Sequence, residues 1–297
     1  MKRVFIVVVC LLVMAASARS DDNAPGPVGE PTGVWREQIH WVPMHDKFDN
    51  VRLLYTRICR PQGDAPARVV LLNHGSPPNA GVRPTMQPAK CDSEAVQWFL
   101  TRGYLVVLGL RRGYGATGGA WYEDYGACTA EGYAQGGLES ARELDALVTY
   151  ATALPYARPN GVVVVGQSAG GWATDAYDSE QHPKVVAMVS MAGGRGGHWH
   201  NGPNNNCRPD ELARAAGIFG ATASTPMLWV YAANDSFFAP AIAVAMHEAF
   251  TRSGGKAELI QPGPFGTDGH SLFFGKGGSA IWGPLIERYL ASRLAGG

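Results

Sequence analysis

Residues 161–170 read Gly-Val-Val-Val-Val-Gly-Gln-Ser-Ala-Gly. Four consecutive valines predict a strand that is buried on both faces, as strands of a parallel sheet are. The glycines two positions before and after Ser168 allow a sharp turn from this strand into a helix. Such a turn exposes the Ser168 hydroxyl and directs the amide of Ala169 towards the position of an oxyanion. The stretch therefore predicts a nucleophile elbow, with Ser168 as the catalytic nucleophile and Ala169 as an oxyanion-hole donor.

Apolar runs of this kind alternate with helical patterns along the chain. Apolar residues recur every three or four positions from Leu138 to Ala151, which predicts a helix, and two more helices are predicted around Ala241–Ala249 and Ile281–Leu290. The alternation predicts an α/β fold with a doubly wound, mostly parallel sheet and helices on both faces. The predicted strands are Val51–Cys59, Val69–Asn73, Tyr104–Leu110, Val162–Val165, Val185–Met191, Met227–Ala232 and Lys256–Ile260.

The start of the chain has the composition of a secretory signal. The basic pair Lys2-Arg3 precedes an apolar stretch, and residues 16–18 read Ala-Ser-Ala, the pattern of a signal-peptidase site. Cleavage would make the protein secreted or periplasmic, and an uncleaved anchor is the alternative. The expected organisation is a signal peptide over residues 1–18, a flexible leader over 19–33 and one domain over 34–297.

Charge and cysteine content restrict the classes of partner. The chain has 25 basic and 25 acidic side chains, so loss of Lys2 and Arg3 would leave a net charge of −2. We therefore expect no nucleic-acid partner and, after cleavage, no membrane partner. The oligomeric state is left open.

Four cysteines remain if Cys10 leaves with the signal. An even number in an oxidising compartment predicts two disulfides, with free buried thiols as the alternative. Three pairings are possible, and we favour Cys91 with Cys128 because both follow predicted strands. The remaining cysteines are Cys59 and Cys207. None of the four has the spacing of metal ligands.

A serine nucleophile needs a base and a third group that orients the base. His270 is the predicted base, because it lies in a glycine-flanked loop between the last predicted strand and the last helix. Asp235 is the predicted acid, because it follows the strand that begins at Met227. Asp268 is the rival acid, but it lies two residues from His270 and follows no strand.

The predicted strand Val69–Asn73 leads into His74-Gly75-Ser76. Glycine allows the backbone to turn, and the two prolines that follow have no amide proton to donate. Ser76 is therefore the second predicted oxyanion-hole donor, beside Ala169.

These motifs resemble the α/β-hydrolase superfamily, and within it the dienelactone hydrolase and prolyl-oligopeptidase-like branch. The glycine-rich loop after a core strand, Arg111–Gly119, is also similar to that branch. The likeness extends from about Val51 to Leu294. Two features depart from the family pattern: dienelactone hydrolases use cysteine where this chain has Ser168, and no β-propeller of the prolyl-oligopeptidase type is expected before the domain. The resemblance implies a serine hydrolase without metal or cofactor, in which Asp235 orients His270.

The substrate is less constrained by the sequence. Trp121, Tyr122, Trp172 and Trp199 lie near the predicted site and are candidate substrate-binding residues, although core packing explains some of them equally well. Residues 193–224, between two predicted strands, form either a cap or a long surface loop.

The leading interpretation is a carboxylic-ester hydrolase. The alternatives are a serine peptidase for short peptides, with Glu123 or Asp124 as the anchor of a free amino terminus, and a catalytically silent binding protein.

Overall fold

The computed structural model describes residues 23–294, so the predicted signal peptide lies outside the described residues. A nine-stranded sheet crosses this part of the chain in the order β1-β2-β3-β5-β4-β6-β7-β8-β9. Neighbouring strands from β5 to β9 are parallel, whereas β1, β2 and β3 are joined antiparallel to the β5 edge. The strands are β1 (Gly26–Thr32), β2 (Glu37–His45), β3 (Val51–Cys59), β4 (Arg68–Asn73), β5 (Tyr104–Gly109), β6 (Val162–Gln167), β7 (Val185–Met191), β8 (Met227–Val230) and β9 (Ala257–Ile260).

Helices cover both faces of the sheet. Buried side chains of α2 to α5 form the core on one face, including Trp172, Phe219 and Phe250, and those of α1 and α6 form the core on the other face, including Phe99 and Trp282. The predicted doubly wound α/β architecture is thereby confirmed. Within residues 23–294, no helix combines the length and the apolar character that a membrane crossing requires. The helices are α1 (Glu94–Leu100), α2 (Ala130–Thr152), α3 (Ala169–Asp178), α4 (Pro209–Gly220), α5 (Pro240–Arg252) and α6 (Ser279–Leu294).

The expected flexible leader is wrong for the part of it that forms β1. Gly26 lies opposite Trp41 and Val28 lies opposite Ile39 in an antiparallel ladder with β2. Almost all side chains of β1 are exposed, so backbone hydrogen bonds rather than burial hold this edge strand. The sequence analysis missed this strand because its Pro- and Gly-rich composition is typical of a flexible segment.

Residues 193–224 do not fold as a cap. Their helical part is α4, which packs against α2 and α5 within the helical layer. Residues 221–224 lead from α4 towards β8, and residues 193–208 form a loop that runs from the end of β7 to the start of α4. We call it the β7–α4 loop.

The disulfide pairing favoured from the sequence is wrong. The disulfides are Cys59–Cys91 and Cys128–Cys207, with Cα atoms 5.7 and 6.0 Å apart. Cys91 precedes α1 and Cys128 precedes α2, and these helices cover opposite faces of the sheet, which explains why the two cysteines do not meet. Cys207 instead precedes α4, the neighbour of α2.

Candidate active site

The three predicted catalytic side chains follow three strands that end at the same edge of the sheet. Ser168 follows β6, Asp235 follows β8 and His270 follows β9. Because these strands are parallel, their carboxyl ends converge, as ligand sites of open α/β sheets do. The topology thus brings together residues that are 67 and 35 positions apart in the sequence.

Ser168 occupies a backbone conformation that side-chain-bearing residues rarely adopt. Its φ is 56° and its ψ is −121°, a strained combination of the kind that persists when the surroundings enforce it. Its amide donates to the carbonyl of Met191 at 2.9 Å. A Cβ atom at Gly166 would lie 2.0 Å from the carbonyl oxygen of Gly170, and one at Gly170 would lie 2.5 Å from that of Asn73. The turn therefore requires both glycines.

The imidazole of His270 is oriented by Asp235. Its Nδ1 lies 3.1 and 3.2 Å from the two carboxylate oxygens. The carboxylate is buried, with 2% of Asp235 exposed, and accepts backbone hydrogen bonds from Phe237 and Phe238, both at 2.8 Å. The Phe237 ring stacks on the imidazole at a centroid distance of 4.1 Å. A proton held on Nδ1 by Asp235 leaves Nε2 free to act as a base.

Ser168 and His270 line the same cavity. No hydrogen bond of 3.5 Å or less joins their side chains in the described part of the chain. Bonds of this kind are commonly long in unliganded enzymes and shorten when substrate binds. The Nε2 donor of Gln167 fixes the loop that carries the base, because it donates to the carbonyl of His270 at 2.9 Å.

Asp268, the rival acid, has a different position. Its carboxylate accepts hydrogen bonds from the amides of Ser236 and His270, both at 3.0 Å, and from the Ser236 hydroxyl at 2.6 Å. Partial burial alone would raise the pKa of Asp268, but these hydrogen bonds outweigh it and hold the pKa below its usual value. Asp268 therefore fixes the backbone of the loop, while Asp235 contacts the imidazole.

The two predicted oxyanion-hole residues lie together beside the nucleophile. Ala169 is the first residue of α3 and Ser76 follows β4, and both line one cavity with Ser168. The hydroxyl oxygens of Ser76 and Tyr114 lie 2.9 Å apart, within hydrogen-bond distance. Their backbone amides are thus candidates to stabilise a negative charge that develops next to Ser168.

A buried ionic cluster supports this wall. The Glu123 carboxylate, 1% exposed, is paired with both Arg111 and Arg195 and accepts a hydrogen bond from the Tyr114 hydroxyl at 2.7 Å. Burial opposes its ionisation, but the two guanidinium groups outweigh burial and hold the pKa of Glu123 below its usual range. Glu123 is therefore a buried, fully paired anion and is not available to anchor a peptide's amino terminus.

His74 joins the same cluster as a neutral side chain. Burial, followed by the charge of Arg111, lowers the pKa of His74 to about 3. Its Nε2 accepts a hydrogen bond from the Arg111 amide at 3.1 Å, so the proton lies on Nδ1 and is donated to the carbonyl of Gly75 at 2.7 Å. This bond holds the turn that leads to Ser76.

Two cavities of different character meet at Ser168. The larger cavity, about 550 Å³, contains His270 and is mainly apolar, with Leu72, Leu108 and Phe274 in its wall. The smaller cavity, about 90 Å³, contains Ala169. Its other lining residues include Arg83, Trp121, Tyr125 and Arg195. Ser76 and Phe237 line both cavities.

The predicted substrate-binding aromatic residues are dispersed. Only Trp121 lines a cavity with Ser168. Trp172 is fully buried and packs on Phe219 at a centroid distance of 4.9 Å, so the structure contradicts a substrate contact there. Tyr122 stacks on Arg112 and lines a separate surface depression. Trp199 is 37% exposed and lies outside the lining of both cavities.

Sequence reasoning missed residues that line the two cavities. Phe237 and Phe274 were absent from the predicted aromatic group, although each lies within four residues of a predicted catalytic residue. Arg195 is flanked by two glycines on either side, directly after a predicted strand. A basic residue within such a flexible turn at a strand end was the available signal.

The described residues contain no group of three or more His, Cys, Asp or Glu side chains arranged to hold a metal ion. In the histidine-rich loop near His198, the imidazole has partners other than a metal: its Nε2 lies 2.8 Å from the Ser236 hydroxyl, and its ring stacks on Phe237.

Comparisons with known proteins agree with this topology. No protein-family model and no curated protein matches the sequence. Among solved structures, an esterase of Pyrococcus furiosus superposes with a TM-score of 0.56 at 12% identity, covering 92% of this chain and 98% of that chain. A candidate dienelactone hydrolase of Klebsiella pneumoniae superposes with a TM-score of 0.52 at 14% identity, covering 87% and 98%.

An acylaminoacyl peptidase of Pyrococcus horikoshii superposes with a TM-score of 0.62 at 14% identity. The match covers 87% of this chain but only 42% of that chain. The chain has the α/β-hydrolase fold. The fold predicted from the resemblance is thus confirmed, and the α/β-hydrolase arrangement explains why the ends of β4, β6, β8 and β9 carry the candidate site.

Proposed function

We propose that the protein is a secreted serine hydrolase that cleaves carboxylic esters through an acyl-enzyme intermediate. The observation that carries the proposal is the strained elbow at Ser168, which shares a cavity with a histidine whose Nδ1 is held by the buried carboxylate of Asp235. The esterase among the structural neighbours is consistent with this activity, and the fold by itself supports several chemistries.

The first half of the reaction forms the acyl-enzyme. The Ser168 Oγ attacks the ester carbonyl carbon and its proton passes to Nε2 of His270, while Asp235 stabilises the resulting imidazolium. The amides of Ser76 and Ala169 stabilise the oxyanion, a contribution of about 3 kcal/mol for one such donor. The bond to the alcohol oxygen then breaks, and that oxygen takes the proton from Nε2.

The second half releases the acid. A water molecule attacks the acyl carbon and gives a proton to Nε2, and the bond to Oγ breaks as Ser168 regains that proton. The product acid leaves as a carboxylate and the enzyme returns to its starting state.

The positions of the two cavities favour one binding site for the alcohol group of the ester and another for its acyl group. The leaving oxygen must lie close to His270, which protonates it, so the alcohol group extends into the larger cavity. The acyl group then lies beside Ala169, in the smaller cavity. The preferred substrate therefore has a bulky apolar alcohol and a short acyl group.

The peptidase alternative rests on neighbours such as the acylaminoacyl peptidase. A short peptide would place its amino terminus on the acyl side, where a carboxylate is needed to bind it. Among the residues that the structure describes, no Asp or Glu lines the smaller cavity, and Glu123 is already paired with two arginines. These observations favour esters. The complete set of nucleophile, base, acid and oxyanion residues argues against a silent binding protein.

The two disulfides favour an oxidising compartment. Secretion or periplasmic export is therefore part of the proposal.

The proposal is tested with two isomeric esters, naphthylmethyl acetate and methyl naphthylacetate, together with alanine p-nitroanilide. We expect the acetate, which has the bulky alcohol, to have a kcat/KM at least about tenfold higher than its isomer, and Ser168→Ala to abolish turnover. Faster cleavage of the anilide than of both esters would establish the peptidase alternative. Turnover that survives Ser168→Ala would show that the nucleophile is wrong.

A further inference from the structure

The smaller cavity carries an unusual excess of positive charge for a site that would hold an uncharged acyl group. Arg195 and Arg83 both line it, and no acidic side chain among residues 23–294 does. The nearby Glu123 is contacted by two arginines, Arg111 and Arg195, so this cluster retains one positive charge. Arg83 adds a second.

Arg195 has hydrogen-bonding capacity left over. Its side chain is 3% exposed, and its Nη2 is paired with Glu123. Its Nε is buried and has no hydrogen-bond partner among the described residues. A buried guanidinium donor without a partner is costly in a native protein, so the pairing with Glu123 does not use all the donors of Arg195.

Arg83 is positioned by Trp121. Its guanidinium lies 3.5 Å from the ring centroid of Trp121, a cation–π contact. The Nε of Arg83 is also buried and without a partner in the described part of the chain. The stacking leaves the side chain pre-organised at the cavity wall, so that little conformational entropy is lost when an anion binds.

The backbone holds Arg195 close to the reaction centre. The preceding residue, Gly194, donates its amide to the carbonyl of Ser168 at 3.2 Å, and the following residue, Gly196, accepts from the amide of Cys207 at 2.9 Å. The loop is thereby tied to the nucleophile on one side and to the Cys128–Cys207 disulfide on the other.

We propose that Arg195 and Arg83 bind a carboxylate at the far end of the acyl group, so that the preferred substrates are half-esters of short dicarboxylic acids with bulky apolar alcohols. The inference rests on the proposed esterase function and on the assignment of the acyl group to the smaller cavity. Guanidinium groups pair with carboxylates through charge-assisted hydrogen bonds, which strengthen where water is excluded.

The test compares two naphthylmethyl esters that differ in the charge at the end of the acyl group. One is the hemisuccinate, and the other is the isocaproate, in which an isopropyl group has the branched shape of the carboxylate. We expect the ratio of kcat/KM, hemisuccinate over isocaproate, to be about tenfold or more in the wild type. Monomethyl succinate should inhibit competitively.

Two variants locate the charge that is responsible. Arg83→Gln removes a partly exposed cation outside the Glu123 ion pairs, and Arg195→Gln removes the buried one. Each is expected to lower the hemisuccinate-to-isocaproate ratio by about tenfold. Lys90→Gln is the matched control, because Lys90 lines the larger cavity, and it should leave the ratio unchanged.

A wild-type ratio near one, with Ser168-dependent hydrolysis of the isocaproate, would overturn the anion site and leave the esterase proposal intact. The same conclusion follows if Arg83→Gln, folded by circular dichroism, keeps the wild-type ratio and the wild-type inhibition by monomethyl succinate. Failure to hydrolyse either ester would overturn both proposals.

Discussion

Asp235 and Asp268 differ by what each carboxylate contacts. Asp235 lies against Nδ1 of the imidazole, whereas Asp268 accepts hydrogen bonds from backbone amides and from Ser236. Both are short acidic residues near His270, so their chemistry alone does not separate them. Their positions relative to a strand end separate the two residues, because Asp235 follows β8 while Asp268 lies within the loop after β9.

Replacement of these two carboxylates is expected to have different consequences. Asp235→Asn should lower kcat by about 10⁴-fold, because the amide favours the wrong imidazole tautomer, while the melting temperature changes little. Asp268→Asn is the matched control and should retain most of the activity. Steady-state kinetics and thermal unfolding of both variants provide the measurement. The assignment fails if Asp268→Asn is the more damaging change.

The contribution of Asp268 should also depend on pH. Because its folded-state pKa is depressed, its stabilisation of the loop is complete above the ordinary carboxyl pKa of about 3.9 and is lost as the pH falls through the depressed value.

Residue identities at the site could be predicted where a motif fixes both the residue and its backbone. Gly166 to Gly170 predicted the elbow because only glycine fits beside the turn. Apart from Trp121, the lining aromatic residues could not be predicted, since a tryptophan near a motif packs equally well into a core. Trp172, three residues inside α3, points into the helical layer and contacts Phe219.

At the scale of elements, each disulfide secures the wall of one cavity. Cys91 directly follows Lys90 and precedes Asp92, which line the larger cavity. Cys207 holds the β7–α4 loop, whose glycines line the smaller cavity. The closed loops span 32 and 79 residues, so both disulfides stabilise the fold by limiting the unfolded chain.

The two disulfides should therefore have separable effects on substrate binding. The double variant Cys128→Ser/Cys207→Ser should raise KM for the hemisuccinate, whereas Cys59→Ser/Cys91→Ser should raise KM for both naphthylmethyl esters. Each variant should also lose roughly 4 kcal/mol of unfolding free energy by the chain-entropy relation. Kinetics and denaturant titration at neutral pH supply the data. Equal effects of both pairs on every ester would contradict the assignment of one disulfide to each cavity.

The strands from Val51 onwards were predictable, and the first two strands of the sheet were not. Every predicted strand, from Val51–Cys59 onwards, has its counterpart in the sheet. The two missed strands, β1 and β2, form its antiparallel edge, where Pro43 and the exposed side chains of β1 obscure the pattern. The disulfide pairing was missed for a related reason, since it depends on which face of the sheet each helix covers.

For the whole molecule, the parallel sheet converts a chain order of serine, acid and histidine into one site. The order of strands β6, β7, β8 and β9 across the sheet follows their order in the sequence, so each carboxyl end lies beside the next. That consequence could be drawn from the sequence as soon as the α/β alternation was recognised. The positive charge at the smaller cavity could not be predicted from the sequence, because Arg83, Arg111 and Arg195 come from three separate segments.

The central claim is that Ser168 is the nucleophile activated by His270. The most direct measurement is the mass of the intact protein after reaction with a fluorophosphonate, in which the serine Oγ displaces fluoride from phosphorus, followed by peptide mapping. We predict one adduct per chain, located on Ser168, absent in Ser168→Ala and formed far more slowly in His270→Ala. An adduct on another residue, or no adduct on a folded protein, would contradict the account.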